Sequence, residues 1–80
     1  ELKKASKQVF DLQREERDAG IEPAPYVISS GVRIKENCLY ITIEDPDGVY
    51  ASGERSIADD MKKYLPEGFD GAKYSISQNS

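Results

Sequence analysis

From Gly31 to Ser52 the chain reads GVRIKENCLYITIEDPDGVYAS, apolar and polar residues alternating around two turn signals. Side chains of a strand point alternately to its two faces, so a period of two fits half-buried strands and argues against an amphipathic helix here. Val32 and Ile34 fall on one face, as do Leu39, Ile41 and Ile43, while Arg33, Lys35, Tyr40 and Thr42 take the other. Asn37, in the corner from Lys35 to Cys38, suits a left-handed backbone position in a short hairpin. Asp45-Pro46-Asp47-Gly48 is a type I turn signal, with the φ of Pro46 preset and Gly48 able to take a positive φ. Val49 to Ser52 then completes a three-stranded antiparallel β-meander that ends at Gly53. Upstream, Tyr26 to Ile28 are β-prone and Ser29-Ser30-Gly31 interrupts them, which predicts a short first strand or a bulged entry.

A helix is expected on either side of this sheet. Residues 1–20 form the first, without proline and with glycine only at Gly20, a left-handed stop; Leu2, Ala5, Val9 and Leu12 recur at helical spacing. The stripe packs on the domain's own sheet or pairs with another chain, and it is too short for a coiled coil. After Leu12 the run QREERDA is expected to be polar all round. Lys3, Lys4 and Lys7 stand at the start of this helix and Glu15, Glu16 and Asp18 at its end, the reverse of what the macrodipole favours, so outside contacts must hold it. Residues 21–25 (IEPAP) make a stiff Pro-rich connector. Residues 26–77 hold the sheet and a second helix. Ser56 is the N-cap of that helix, Ile57, Met61, Tyr64 and Leu65 are its apolar stripe, and Pro66 and Gly68 end it. Phe69 is expected to close the core, Lys73 to Ser77 (KYSIS) to add a C-terminal edge strand, and residues 78–80 to fray as a tail. The fold class is α+β, a single small domain of order α-β-β-β-α.

Eighty residues bury only about 60% of the surface of the unfolded chain, which leaves little room for an enclosed active site. The formal net charge is −4, from 11 basic and 15 acidic residues. Before Gly20 the charges balance, Lys3, Lys4, Lys7, Arg14 and Arg17 against Glu1, Asp11, Glu15, Glu16 and Asp18, so the acidic excess lies after it. Counterion-driven binding to nucleic acid or anionic lipid is disfavoured. The single Cys38 excludes an internal disulfide and fits a reducing, cytoplasmic setting. No apolar run reaches the roughly 18 residues of a membrane span, and none has the pattern of a signal peptide. The chain opens on Glu1, which fits a fragment or a processed product.

The absence of histidine removes the commonest general base and the commonest metal ligand. Cys38 has no histidine to activate it and reads as a structural thiol. Glu44, Asp45 and Asp47 do not make a calcium loop, because Tyr50 stands where an EF-hand loop starting at Asp45 needs glycine. The adjacent pairs Asp59/Asp60 and Glu15/Glu16 point in different directions on a helix and fit no glycosidase geometry. Neither an enzymatic activity nor a cofactor or metal is expected.

The order helix, three antiparallel strands, helix resembles double-stranded-RNA-binding domains. Gly31 to Leu65, a hairpin ahead of Asp45-Pro46-Asp47-Gly48 and a helix after Ser56, resembles the arm-site DNA-binding domains of phage tyrosine recombinases. These likenesses imply topology. A basic cluster would open the second helix of the former where this chain has Ser56, Asp59 and Asp60, and Glu36, Glu44 and Glu54 stand on what would be the basic sheet of the latter.

The expectation is therefore a non-enzymatic protein–protein interaction or regulatory accessory module, with a phage or mobile element as a possible context. Its partner is another protein, or a second copy engaged through the N-terminal helix. The expected surface is that helix or an exposed sheet edge, with Lys7, Arg14, Arg17 and Tyr40 as partner-binding residues. The alternative is a nucleic-acid-binding domain that uses the polar sheet face through Arg33, Lys35, Tyr40, Tyr50 and Arg55, cations beside stackable rings being the parts of sequence-tolerant platforms.

Overall fold

A computed structural model describes residues 2–77; the expected tail at 78–80 lies outside them. The elements are α1 (Leu2–Asp18), β1 (Tyr26–Arg33), β2 (Cys38–Glu44), α2 (Ile57–Met61) and β3 (Ala72–Ile76). They form one three-stranded sheet in the order β1-β2-β3. The class is α+β, but the sheet is mixed: β1 runs antiparallel to β2, and β3 runs parallel to it.

The parallel strand corrects the expected meander. Val49 to Ser52 is a run of turns rather than a strand. The Asp45 carboxylate accepts from the N–H groups of Tyr50 (3.3 Å) and Ala51 (2.9 Å), and Ser52 N–H donates to the Gly48 carbonyl (3.0 Å). Such local bonds offer the backbone an alternative to a ladder. The place beside β2 goes to β3, which lays Ala72, Tyr74 and Ile76 against the core. The terminal edge strand expected over KYSIS is thus the sheet's third member, and the order is α-β-β-α-β. Neither the RNA-binding-domain likeness nor the recombinase likeness survives, since both need the strand after Gly48.

The turn chemistry follows the sequence. Asn37 sits at φ 52 and Gly48 at φ 73, and Gly48 N–H closes the turn on the Asp45 carbonyl at 3.2 Å. Gly20, at φ 81, ends α1 in a Schellman arrangement, with Gly20 N–H on the Arg17 carbonyl and Ile21 N–H on that of Glu16. β1 is a single eight-residue strand whose register slips between Val27 and Ser29, the bulged entry of the two alternatives. It stops at Arg33, so Ile34 falls in the turn and is 73% exposed instead of sharing the core with Val32.

Both helices cover one face. Leu2, Ala5 and Val9 of α1, Val27 of β1, Leu39, Ile41 and Ile43 of β2, and Met61, Tyr64 and Leu65 form the buried cluster. The apolar stripe of α1 is therefore buried by the domain's own sheet. Ser56 caps α2 by accepting Asp59 N–H at 3.3 Å. The regular helix ends at Met61, and tighter bonds from Tyr64 N–H to the Met61 carbonyl and from Leu65 N–H to that of Lys62 carry the stripe onward. Phe69 packs against the cluster from outside.

Gln13 departs from the expected polar end of α1. It is 1% exposed, its Nε2 donates to the Pro25 carbonyl at 2.6 Å, and its Oε1 accepts Val27 N–H at 3.0 Å. One amide thus ties the helix, the connector and the first strand together. Tyr64 makes a second tie, its hydroxyl donating to Glu16 Oε1 and accepting the Ala24 N–H, which accounts for an acidic residue near the C-terminus of α1.

Candidate functional site

The residues singled out on α1 do not converge with Tyr40. Lys7 Nζ and Arg14 Nη2 both pair with Asp11, at 2.6 and 2.9 Å, and hold its carboxyl below the usual range, Lys7 first. Arg17 lies over the Tyr26 ring, 5.3 Å from its centroid. Tyr40 alternates with buried Leu39 and Ile41 and so stands on the opposite, uncovered face of the sheet.

On that face the alternative set is brought together in part. The Arg33 guanidinium lies 5.0 Å from the Tyr40 ring centroid, and Lys73 of β3, expected in a strand but not among the site residues, supplies a second cation at 5.8 Å. The Tyr40 hydroxyl donates to Glu36 at 2.8 Å, which raises the phenol's pKa. Lys35 is exposed in the hairpin turn. Tyr50 and Arg55 belong to another cluster, both binding Asp60 Oδ2, at 2.7 and 2.9 Å. Burial and then Asp60 push Tyr50 up to about 12, while Arg55 and then Tyr50 hold Asp60 low.

The sheet has two edges of different character. The β1 edge is bulged and carries Ser29, Ser30 and Gly31. The β3 edge is regular. Leu39 N–H donates to the Gly71 carbonyl at 2.7 Å and Ser77 N–H to the Ile43 carbonyl at 2.8 Å. With the parallel register this places the ladder bonds of the strand at residues 71, 73, 75 and 77. The N–H and C=O groups of Ala72, Tyr74 and Ile76 then point outward, and among the described residues nothing bonds to them.

Beside this edge, on the helix side, runs a groove of about 620 Å³ between the α2 segment and β3. Leu65, Phe69, Ala72 and Tyr74 line it, with Lys62 and Asp70 also in its wall. An unpaired edge gives a partner backbone its hydrogen bonds, and a groove next to it takes every second side chain. The expected edge strand over KYSIS falls on this strand, but its neighbour in the sheet was not foreseen. Another hollow of about 400 Å³ lies between the Pro-rich connector and the turns after β2, with Glu22, Pro25, Glu44, Asp45, Tyr50 and Arg55 in its wall. Cys38 is buried, its Sγ 3.8 Å from the Leu39 carbonyl oxygen.

Comparison of the chain with protein-family models, with curated proteins and with solved structures finds no match.

Proposed function

We propose that this domain is a non-enzymatic protein-interaction module that receives an extended segment of a protein partner along the outer edge of β3. The observation that carries this reading is the row of outward N–H and C=O groups at Ala72, Tyr74 and Ile76, set beside the apolar groove of Leu65, Phe69 and Tyr74. An added strand satisfies those groups and places alternate apolar side chains in the groove. The α1 residues Lys7, Arg14 and Arg17 are then peripheral, consistent with their pairing to Asp11 and Tyr26.

Selection of a random peptide library on the immobilised chain tests the reading. Enriched peptides should alternate apolar and polar residues and should shift the amide resonances of Ala72, Tyr74 and Ile76. Ala72→Pro, which removes one outward donor at the first position of an edge strand, should weaken their binding while the fold persists. Arg14→Glu and Arg17→Glu should leave affinity unchanged. Loss of affinity in the two arginine variants, with Ala72→Pro silent, would move the binding surface to α1.

A second reading, nucleic-acid binding, is favoured by the placement of Tyr40 between Arg33 and Lys73 on an uncovered sheet face. It requires binding of a single-stranded oligonucleotide that weakens with salt on a log–log slope and is lost in Tyr40→Ala. Salt-independent or absent binding removes it.

A further inference from the structure

We infer that the segment added to β3 is the β3 strand of a second copy of this chain, the two pairing antiparallel about Tyr74 to join two three-stranded sheets into one. This rests on the strand-addition reading above and specifies its partner.

The argument begins with hydrogen-bond parity. In an antiparallel pair, residues that exchange both backbone bonds face each other and alternate with residues that exchange none. Only Ala72, Tyr74 and Ile76 present their N–H and C=O groups outward, so a twofold axis through the edge passes either at one of these three, as a pair that exchanges both bonds, or at Lys73 or Ser75, as a pair that exchanges none. An axis at Tyr74 pairs the whole of Ala72–Ile76 with itself, Tyr74 on Tyr74 and Ala72 on Ile76 in both directions. Axes at Ala72 or Ile76 leave half of the strand without a partner, and axes at Lys73 or Ser75 leave one end of it unpaired and set two lysines or two serines against each other.

The side chains fit the same register. Ala72, Tyr74 and Ile76 all face the helix layer, so the pairing sets apolar groups of one copy against those of the other, and the two grooves meet at the axis. On the outer face the closely approaching, non-hydrogen-bonded pairs are Lys73 against Ser75, twice. No like charges oppose, although each chain carries −4. Charged side chains, lysine above all, are a common guard on edge strands. Here Lys73 disfavours the register that would set it against itself and leaves the Tyr74-centred one intact. The bulge and the Ser-Ser-Gly run make β1 the poorer edge for such pairing.

Ser75 gives a test with opposite signs. It is exposed, and its hydroxyl meets only Thr42 Oγ1, at 3.1 Å. Sedimentation equilibrium of the chain from micromolar to millimolar concentration should show a monomer–dimer equilibrium. Ser75→Glu sets the introduced carboxylate of each copy against Lys73 of the other, two attractive cross-strand pairs, and should tighten the dimer about two- to thirtyfold. Ser75→Lys creates two repulsive pairs and should weaken it by a similar factor, and Lys73→Glu added to Ser75→Lys should restore it. Circular dichroism and urea midpoints report whether each variant keeps its fold. A chain monomeric at every concentration even as Ser75→Glu, or a dimer indifferent to all three charge changes, overturns the inference. If the monomeric chain still selects strand-like peptides, self-pairing fails and strand addition stands. If it selects none, both fail.

Discussion

Gln13 shows how much a single amide contributes in a domain this small. Replacing it with leucine leaves the buried Val27 N–H and Pro25 carbonyl unpaired, and each such group costs about 1–3 kcal/mol. Gln13→Leu should therefore destabilise by about 2–4 kcal/mol in urea unfolding, seen as a lower midpoint at unchanged slope. The sequence did carry a signal for it. Gln13 lies four residues after Val9 and continues the stripe of Leu2, Ala5 and Val9, but hydropathy masks a polar side chain whose task is to satisfy backbone. Tyr64 works in the same region. Burial and then the Glu16 carboxylate push it from its ordinary 10.0 up to about 12. The folded state then holds a proton that the unfolded chain releases, so the stabilisation is complete below pH 10.0 and is lost as pH rises through about 12. Stability measured against pH should fall across that window, and Tyr64→Phe should make the fall shallower, with the other raised phenols, Tyr50, Tyr40 and Tyr74, supplying what remains.

At the scale of elements, the local devices could be read from the chain and the non-local pairing could not. Asn37 at φ 52 and the Ser56 cap are set by residue chemistry within a few positions. Asn37→Ala should cost about 1 kcal/mol where Asn37→Gly costs nothing, because only the former puts an ordinary Cβ in the left-handed region. Ser56→Ala should cost about 1 kcal/mol through the lost cap on Asp59 N–H. Both are checked by denaturant midpoints. The alternation in Leu39, Ile41 and Ile43 likewise marks a strand with one buried face. Alternation says that a strand is half-buried and nothing of which strand lies next to it. Val49–Ser52 and Ala72–Ile76 therefore competed for one place on β2. Ala72, Tyr74 and Ile76 all pack on the core from that place, while the carboxylate of Asp45 holds the other segment, of which Tyr50 alone reaches the core, in a turn. The candidate site followed from that outcome, because the open edge belongs to the strand whose partner the sequence did not specify.

The whole molecule has two layers, helices on one face of the sheet and solvent on the other. Its charge of −4 disfavours long-range attraction to polyanions, whereas strand addition draws on backbone hydrogen bonds and apolar contact that salt screens little. The amide hydrogen exchange of β3 tests strand addition most directly. In the monomer, the amides of Lys73 and Ser75, bonded to β2, should be protected and those of Ala72, Tyr74 and Ile76 should exchange freely. Occupation of the edge, by a selected peptide or by a second copy at high concentration, should protect Ala72, Tyr74 and Ile76 together. Protection of these three in the dilute monomer, or bound partner that leaves them exchanging freely, would contradict the account.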